Sequence, residues 1–251
     1  MDLWEKDFYK SPVNCLFNHR IVEYDMKSAN TSIAREFSLL PEDKIKELEK
    51  LPKKEREITV GLIKRDTPGY SEKEKLGFIA ARKLFFMQNE ILDEEVISIK
   101  RDAIFVMRYV DHEQVTENIN FRMKNEYTSY INFGRNLEIY SKPDGLDIKG
   151  IDDEIYEERH SKYFGDFLHS VIRRVESSDR NSYLTYIRYF FDNYKFRKLD
   201  AGYYREFNAK SQFHYLDGNY AMEEYQEDLS TLDISCNMNL ILKLMQMLVH
   251  Q

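Results

Sequence analysis

Between Val96 and Val106 the chain reads VISIKRDAIFV, two apolar segments of strand length separated by a charged triplet. Each run is too short for a stable helix. Burying both leaves an antiparallel hairpin, with Val96 to Ile99 going out, Lys100 to Asp102 turning, and Ala103 to Arg108 returning. That hairpin holds Asp102 at its tip. A second apolar run, His19 to Tyr24 (HRIVEY), is expected to be a buried strand that delivers Asp25 at its end.

The segments around these strands read as helices. Ser28 to Glu36 fits a short helix after Asp25. PEDKIKELEK is expected to be helical with Pro41 at its first position. Pro52 interrupts, and KKEREITVGLIKR continues as a helix with Ile58, Leu62 and Ile63 on one side. After the turn DTPGYS, Ser71 is expected to cap the long helix SEKEKLGFIAARKLFFMQNEIL, with Glu74 completing a capping box. Further strand-like pieces are Glu117 to Met123, Leu137 to Tyr140 and Leu146 to Lys149. From about Asp152 helical patterns dominate: YFGDFLHSVIRRV, YLTYIRYFFDNY and the C-terminal MNLILKLMQMLV. The fold class expected is α+β, mixed at first and then mostly helical.

At 251 residues the chain can bury a full core, and 42% hydrophobic with 32% charged residues is an ordinary balance for a globular protein. Two cysteines, Cys15 and Cys236, exclude a disulfide framework, and no CxxC or HExxH zinc spacing occurs. The beginning, MDLWEKDFYKSP, has no apolar run of the signal-peptide kind, so a cytoplasmic setting without a membrane is expected. A net charge of −7 argues against a chain that binds nucleic acid over its whole surface, though not against a local groove. Eight basic residues between Lys44 and Arg65, interrupted by Glu47, Glu49, Glu55 and Glu57, read equally well as a solvated helical face laced with ion pairs. The six scattered histidines form no nucleophile motif, tyrosine clusters such as Tyr203-Tyr204 fit helix packing, and the Leu240, Leu244, Met247, Leu248 stripe reads as core or interface.

Asp25 and Asp102 gain meaning from their neighbours. DMKSANTSI, from Asp25 to Ile33, resembles motif A of the family B DNA polymerases, D-x-x-S-L-Y-P-S-I, matching at Asp25, Ser28, Ser32 and Ile33. VISIKRDAIFV is similar to that family's motif C, V-I-Y-G-D-T-D-S-I-F-V, with Asp102 in the place of the second aspartate. KKEREITVG, from Lys53 to Gly61, keeps the Lys and Gly of motif B. Lys124 to Tyr127 (KNEY) resembles the K-K-x-Y segment, and LDIKGI at Leu146 to Ile151 a later palm strand. Together these cover Ile21 to Ile151. Lys100 and Arg101 stand where the family has the first acid and its neighbour, and Asn30 replaces the tyrosine that blocks a ribose 2′-hydroxyl.

The resemblance implies a polymerase-like palm with an antiparallel sheet over residues 1–151, short helical fingers at about 41–70, and a mostly helical thumb-like region over 152–251. No exonuclease domain is expected before motif A. It implies extension of a nucleic-acid 3′ end from nucleoside triphosphates by two-metal catalysis, with two Mg2+ or Mn2+ ions on Asp25, Asp102 and the Met26 carbonyl. Ser28 and Asn30, with Lys53 and Arg56, would hold the nucleotide, while Lys100, Arg101, Lys124 and Tyr127 would face the primer–template. Two alternatives stay open: a catalytically inactive palm-derived subunit that binds nucleic acid or a protein of a replication or transcription complex, and an unrelated α+β protein. The lysine-, isoleucine-, asparagine- and tyrosine-rich composition suits an AT-rich genome such as a bacteriophage's, which would place the protein in the host cytoplasm.

Overall fold

A computed structural model describes residues 2–134, 137–149, 165–177, 180–200, 242 and 244–248. In chain order the strands are β1 (Phe8–Lys10), β2 (Cys15–Met26), β3 (Val96–Lys100), β4 (Ala103–Val106), β5 (Phe121–Gly134), β6 (Leu137–Lys142) and β7 (Gly145–Lys149). The helices are α1 (Ala29–Glu36), α2 (Glu42–Lys50), α3 (Lys53–Asp66), α4 (Tyr70–Gln88), α5 (Asp166–Glu176) and α6 (Arg180–Lys195). The fold is α+β. Its hydrogen-bonded strand order is β1-β3-β4-β2-β5-β6-β7, and the ladders β1/β3, β3/β4, β4/β2, β5/β6 and β6/β7 are antiparallel.

The chain divides into two compact units, one of Met1–Pro12 and Arg20–Glu126, the other of Val13–His19 and Tyr127–Gln251. β2 and β5 each contribute to both. The boundary expected at residue 151, the likeness at Gly150 and Ile151, and the expectations on Tyr203, Tyr204, His160, His214, His250, Cys236 and Leu240 lie outside the described residues.

In the first unit the hairpin forms as its apolar runs dictate. Lys100 pairs with Ala103, Ile99 with Ile104, and Arg101-Asp102 makes the tight turn. The return strand β4 then pairs with β2, setting Asp25 opposite Ala103 and Tyr24 opposite Ile104. Side chains alternate across a strand. Val22, Tyr24 and Met26 of β2, with Ile104 and Val106 of β4, share a core with Phe78, Ala81 and Phe85 of α4 and Ile33 of α1. Glu23 and Asp25 consequently project from the opposite face.

Helix α4 is the backbone of this unit. It begins at Tyr70 with Gly69 as its N-cap at φ +76, a left-handed conformation that suits glycine. Ser71 is therefore inside the helix, and Glu74 is not half of a capping box. It is a buried acid, as described below. Pro41 likewise stands just before α2 and not at its first helical position. On α3 the buried residue is Val60, whereas Ile58 and Leu62 are exposed. Gly77 lets α4 approach α1 closely. A Cβ there would lie 2.7 Å from Ile33 Cγ2 and 2.9 Å from Phe37 Cδ2. Gly77→Val is expected to cost about 1–3 kcal/mol by overpacking. A urea melt with an unchanged midpoint would show that α1 yields freely.

In the second unit, β6 and β7 and the two amphipathic helices enclose a separate core of Ile131, Ile139, Ile148, Phe167, Val171, Ile187 and Phe190. Leu244 and Leu248 of the C-terminal stripe are buried in it, so that stripe serves as core. Tyr127 and Tyr130 both pack at a tilt against Tyr140, with ring centroids 5.0 and 5.1 Å from its own.

Candidate functional site

The strand-to-helix turn after Asp25 is fixed from both sides. The Met26 amide donates to the Asp102 carbonyl at 2.9 Å, and the Lys27 amide donates to Asn120 at 2.9 Å. Ser28 has φ +50 and precedes α1, and its carbonyl accepts from the amides of Thr31 and Ser32. The Ser32 hydroxyl reaches back to the Lys27 carbonyl at 2.8 Å, while Ile33 is fully buried. Two of the four residues that carry the motif A likeness thus shape the turn, leaving Asp25 and Ser28 at the surface of the site. Asn30 sits half-buried in the first turn of α1.

Asp25 and Asp102 are brought together by the β2/β4 ladder, and their charges interact. Burial raises the pKa of the Asp102 carboxyl above the ordinary aspartate value. Asp25 raises it further, against the lowering effects of its own amide, Arg101 and Lys124. A buried carboxyl whose ionisation a neighbouring carboxylate further disfavours attracts a cation.

Lys124 supplies one from the protein, its Nζ 3.3 Å from Glu23 Oε1. Burial alone lowers the pKa of this ammonium, but Glu23, Asp25 and Asp102 more than reverse the effect and hold it above the ordinary lysine value. The Arg122 guanidinium stands 3.9 Å from Asp25 Oδ2. Glu23, almost completely buried, also accepts from the Asn125 amide at 2.7 Å. The likeness in KNEY therefore places Lys124 beside the carboxylates. Tyr127 is elsewhere: it belongs to the second unit, is fully buried, and donates its hydroxyl to Asp147. Its ring faces Tyr140 and is no surface for a primer strand.

The basic candidates separate in the same way. Lys53 projects into solvent at the start of α3, 3.9 Å from Glu57, and half-buried Arg56 lies one turn further along. Neither is joined to the aspartates by a contact. Lys64, at the other end of α3, is 2.7 Å from Oε2 of Glu74, and the same oxygen accepts from Arg101 Nη2 at 2.7 Å. Arg101 further stacks its guanidinium 4.6 Å from the Phe78 ring centroid. Lys100 ends β3, half-buried. Glu23 was not singled out from sequence, Lys64 was read only as part of the basic run and Glu74 only as half of a capping box, because nothing in their spacing distinguishes a buried charge from a solvated one.

Among the described residues, no group of three or more His, Cys, Asp or Glu is placed to hold a metal, and no helix is long and apolar enough to cross a membrane. A groove of about 500 Å³ lined by Phe37, Leu39, Pro68, Tyr70, Leu76 and Gly77 is mostly apolar and does not include the carboxylates.

Comparison with known proteins supplies the origin. The family described as Bacteriophage PBS1 gene 130 protein matches residues 1–250, almost the whole chain. The chain belongs to this family. No curated protein matches it. The PBS1 gene 130 family is a phage one, so the phage origin suggested by composition holds at that level, and the chain is a phage-family protein.

Proposed function

We propose that this member of the PBS1 gene 130 family is a minimal nucleotidyltransferase with a palm like that of the family B polymerases, extending a nucleic-acid 3′ end in the host cytoplasm. One observation carries the proposal. Asp25, on β2 opposite Ala103, and Asp102, in the turn just before Ala103, are separated by 77 positions in sequence yet close enough for their charges to interact. Carboxylates brought together in this way can hold the two metal ions that in-line phosphoryl chemistry uses.

The donor set fits divalent ions. Both side chains offer hard oxygen ligands, and the cost of a charged Asp102, from burial first and Asp25 second, is what a bound cation relieves. Two Mg2+ or Mn2+ ions, when bound, would neutralise the reacting phosphates and polarise the attacking hydroxyl. Asp25 and Asp102, with the Met26 carbonyl, would hold them. Lys64 and Arg101, both on Glu74, take over the triphosphate-neutralising part first assigned to Lys53 and Arg56. Lys124 and Arg122 rest on the carboxylates in the free protein and can turn to the primer phosphates. Ser28 and Asn30, on the strand-to-helix turn, would contact the sugar and phosphates.

The test is primer extension with labelled dNTPs and NTPs, with and without template and Mg2+. Magnesium-dependent elongation is expected. Because asparagine both donates and accepts hydrogen bonds and is smaller than tyrosine, ribonucleotides should be incorporated, and Asn30→Tyr should shift selectivity toward dNTPs. Strict dNTP selectivity that Asn30→Tyr leaves unchanged would contradict the role of Asn30.

A second reading has its own support. Lys124 on Glu23, Arg122 near Asp25, and Lys100-Arg101 in place of an acid give the carboxylates protein counter-ions. A subunit that binds nucleic acid or a replication or transcription protein without catalysis fits those pairs, and magnesium-independent nucleic-acid binding with no extension would favour it.

A further inference from the structure

The Asp102 turn is gripped by Arg82, together with Asp7 and Trp4, none of which the nucleotidyl-transfer reading uses. Arg82 of α4 is fully buried. Its Nε donates to the Trp4 carbonyl at 2.8 Å, its Nη1 to the Arg101 carbonyl at 2.7 Å, and its Nη2 to Asp7 Oδ1 at 3.0 Å. The Arg101 amide in turn donates to the Asp7 carbonyl at 2.6 Å. On the far side of the turn, the Asp102 carbonyl accepts from Met26, next to Asp25. Glu74 and the Phe78 ring, two turns and one turn before Arg82 on the same helix, hold the Arg101 side chain.

Such a grip has work to do, because Arg101 has φ +55. A non-glycine residue in that left-handed conformation is strained, and strain of this kind persists only where the surroundings over-determine it. Glycine at this place would form the turn more easily but would leave it loose. A planar guanidinium with five donors in a fixed fork can hold a carbonyl and a carboxylate at once, which an ammonium cannot do with the same geometry. Asp7 meets the buried charge as its counter-ion.

We infer that Arg82 is a positioning residue: through the Arg101 carbonyl, and with Asp7 as its counter-ion, it fixes the hairpin turn so that Asp102 faces Asp25. The inference rests on the nucleotidyl-transfer reading for what Asp102 does, but not for the clamp itself. It makes the N-terminal segment from Trp4 to Asp7 part of the site's support, although that segment carries none of the polymerase likeness.

The test combines amide exchange by NMR with Mn2+ binding by EPR on the full chain. The reporter amides are Arg101 and Met26, whose acceptors belong to the clamp and the turn. The reference amides are Tyr24 and Ile104, in the same ladder away from the turn. In Arg82→Lys the reporters are expected to exchange about tenfold faster while the references keep their rates, and the Mn2+ dissociation constant to rise about tenfold, the scale found for lost supports behind metal ligands. Asp7→Ala reaches the same clamp from a half-exposed residue and is expected to act in the same direction, which keeps the comparison open if Arg82→Lys does not fold. Reporter and reference amides accelerating together would reduce Arg82 to a general contributor to stability and overturn the inference, as would unchanged exchange in both variants. Wild-type protein that binds no Mn2+ would instead sink the nucleotidyl-transfer reading, with local exchange still deciding the clamp.

Discussion

Replacing either aspartate by asparagine, Asp25→Asn or Asp102→Asn, is expected to abolish nucleotide incorporation while leaving the fold intact. The lost ligand removes several kcal/mol of transition-state stabilisation, which corresponds to a fall of roughly a thousandfold or more in rate. Stability moves the other way at Asp102. Its folded-state pKa is raised by burial first and by Asp25 second. A carboxyl of this kind favours the folded state while protonated, and that contribution is lost as pH rises through the raised value. At neutral pH the wild type therefore bears the unfavourable charge, and Asp102→Asn should melt at the same temperature or slightly above it. Thermal melts beside single-turnover incorporation check both halves. A variant that loses activity only because it has unfolded would remove the support for a metal-binding role.

Phe85→Ala carries the largest expected loss of stability. Phe85 is fully buried on α4, its ring centroid 4.5 Å from that of Phe121 on β5 and 5.6 Å from that of Tyr24 on β2. It thus joins the helix layer to the strand that bears Asp25. Truncation of a buried phenylalanine removes transfer free energy and leaves a cavity, together about 3–5 kcal/mol. Chemical denaturation should show the first unit losing that amount. A loss below about 1 kcal/mol would mean that the helix and sheet are held together elsewhere.

Much of this arrangement was legible in the sequence, and the parts that were not share a cause. The hairpin could be read because two apolar runs flank a charged triplet, leaving one way to bury both. The β2 strand and α4 could be read because their apolar residues repeat at strand and helix periods. β5, Phe121–Gly134, was read as Glu117 to Met123, too early at its start and too short at its end. Its continuation through Lys124, Asn125 and Glu126 is polar, and only neighbouring strands make it a strand. Glu74 was taken for a helix cap because it stands three residues after a serine. In the folded chain it pairs with Lys64, 10 positions before it, and Arg101, 27 positions after it. Arg82 and Glu23 look like surface charges in sequence and are buried in the structure, since local spacing carries no information about partners contributed by distant segments. The aspartates were found through motif likeness, whereas their cationic and buried supports were visible only in three dimensions.

Whether Asp25 and Asp102 form one divalent-cation site is decided by Mn2+ titration followed by EPR. Wild-type protein should bind Mn2+ competitively with Mg2+. Asp25→Asn and Asp102→Asn should each lose that binding. Affinity should weaken on acidification from about pH 7.5, and begin to do so above the ordinary aspartate range, because the ion must displace a proton that Asp102 holds more tightly than usual. Binding that survives in both variants with wild-type affinity would place the ion elsewhere and contradict the account.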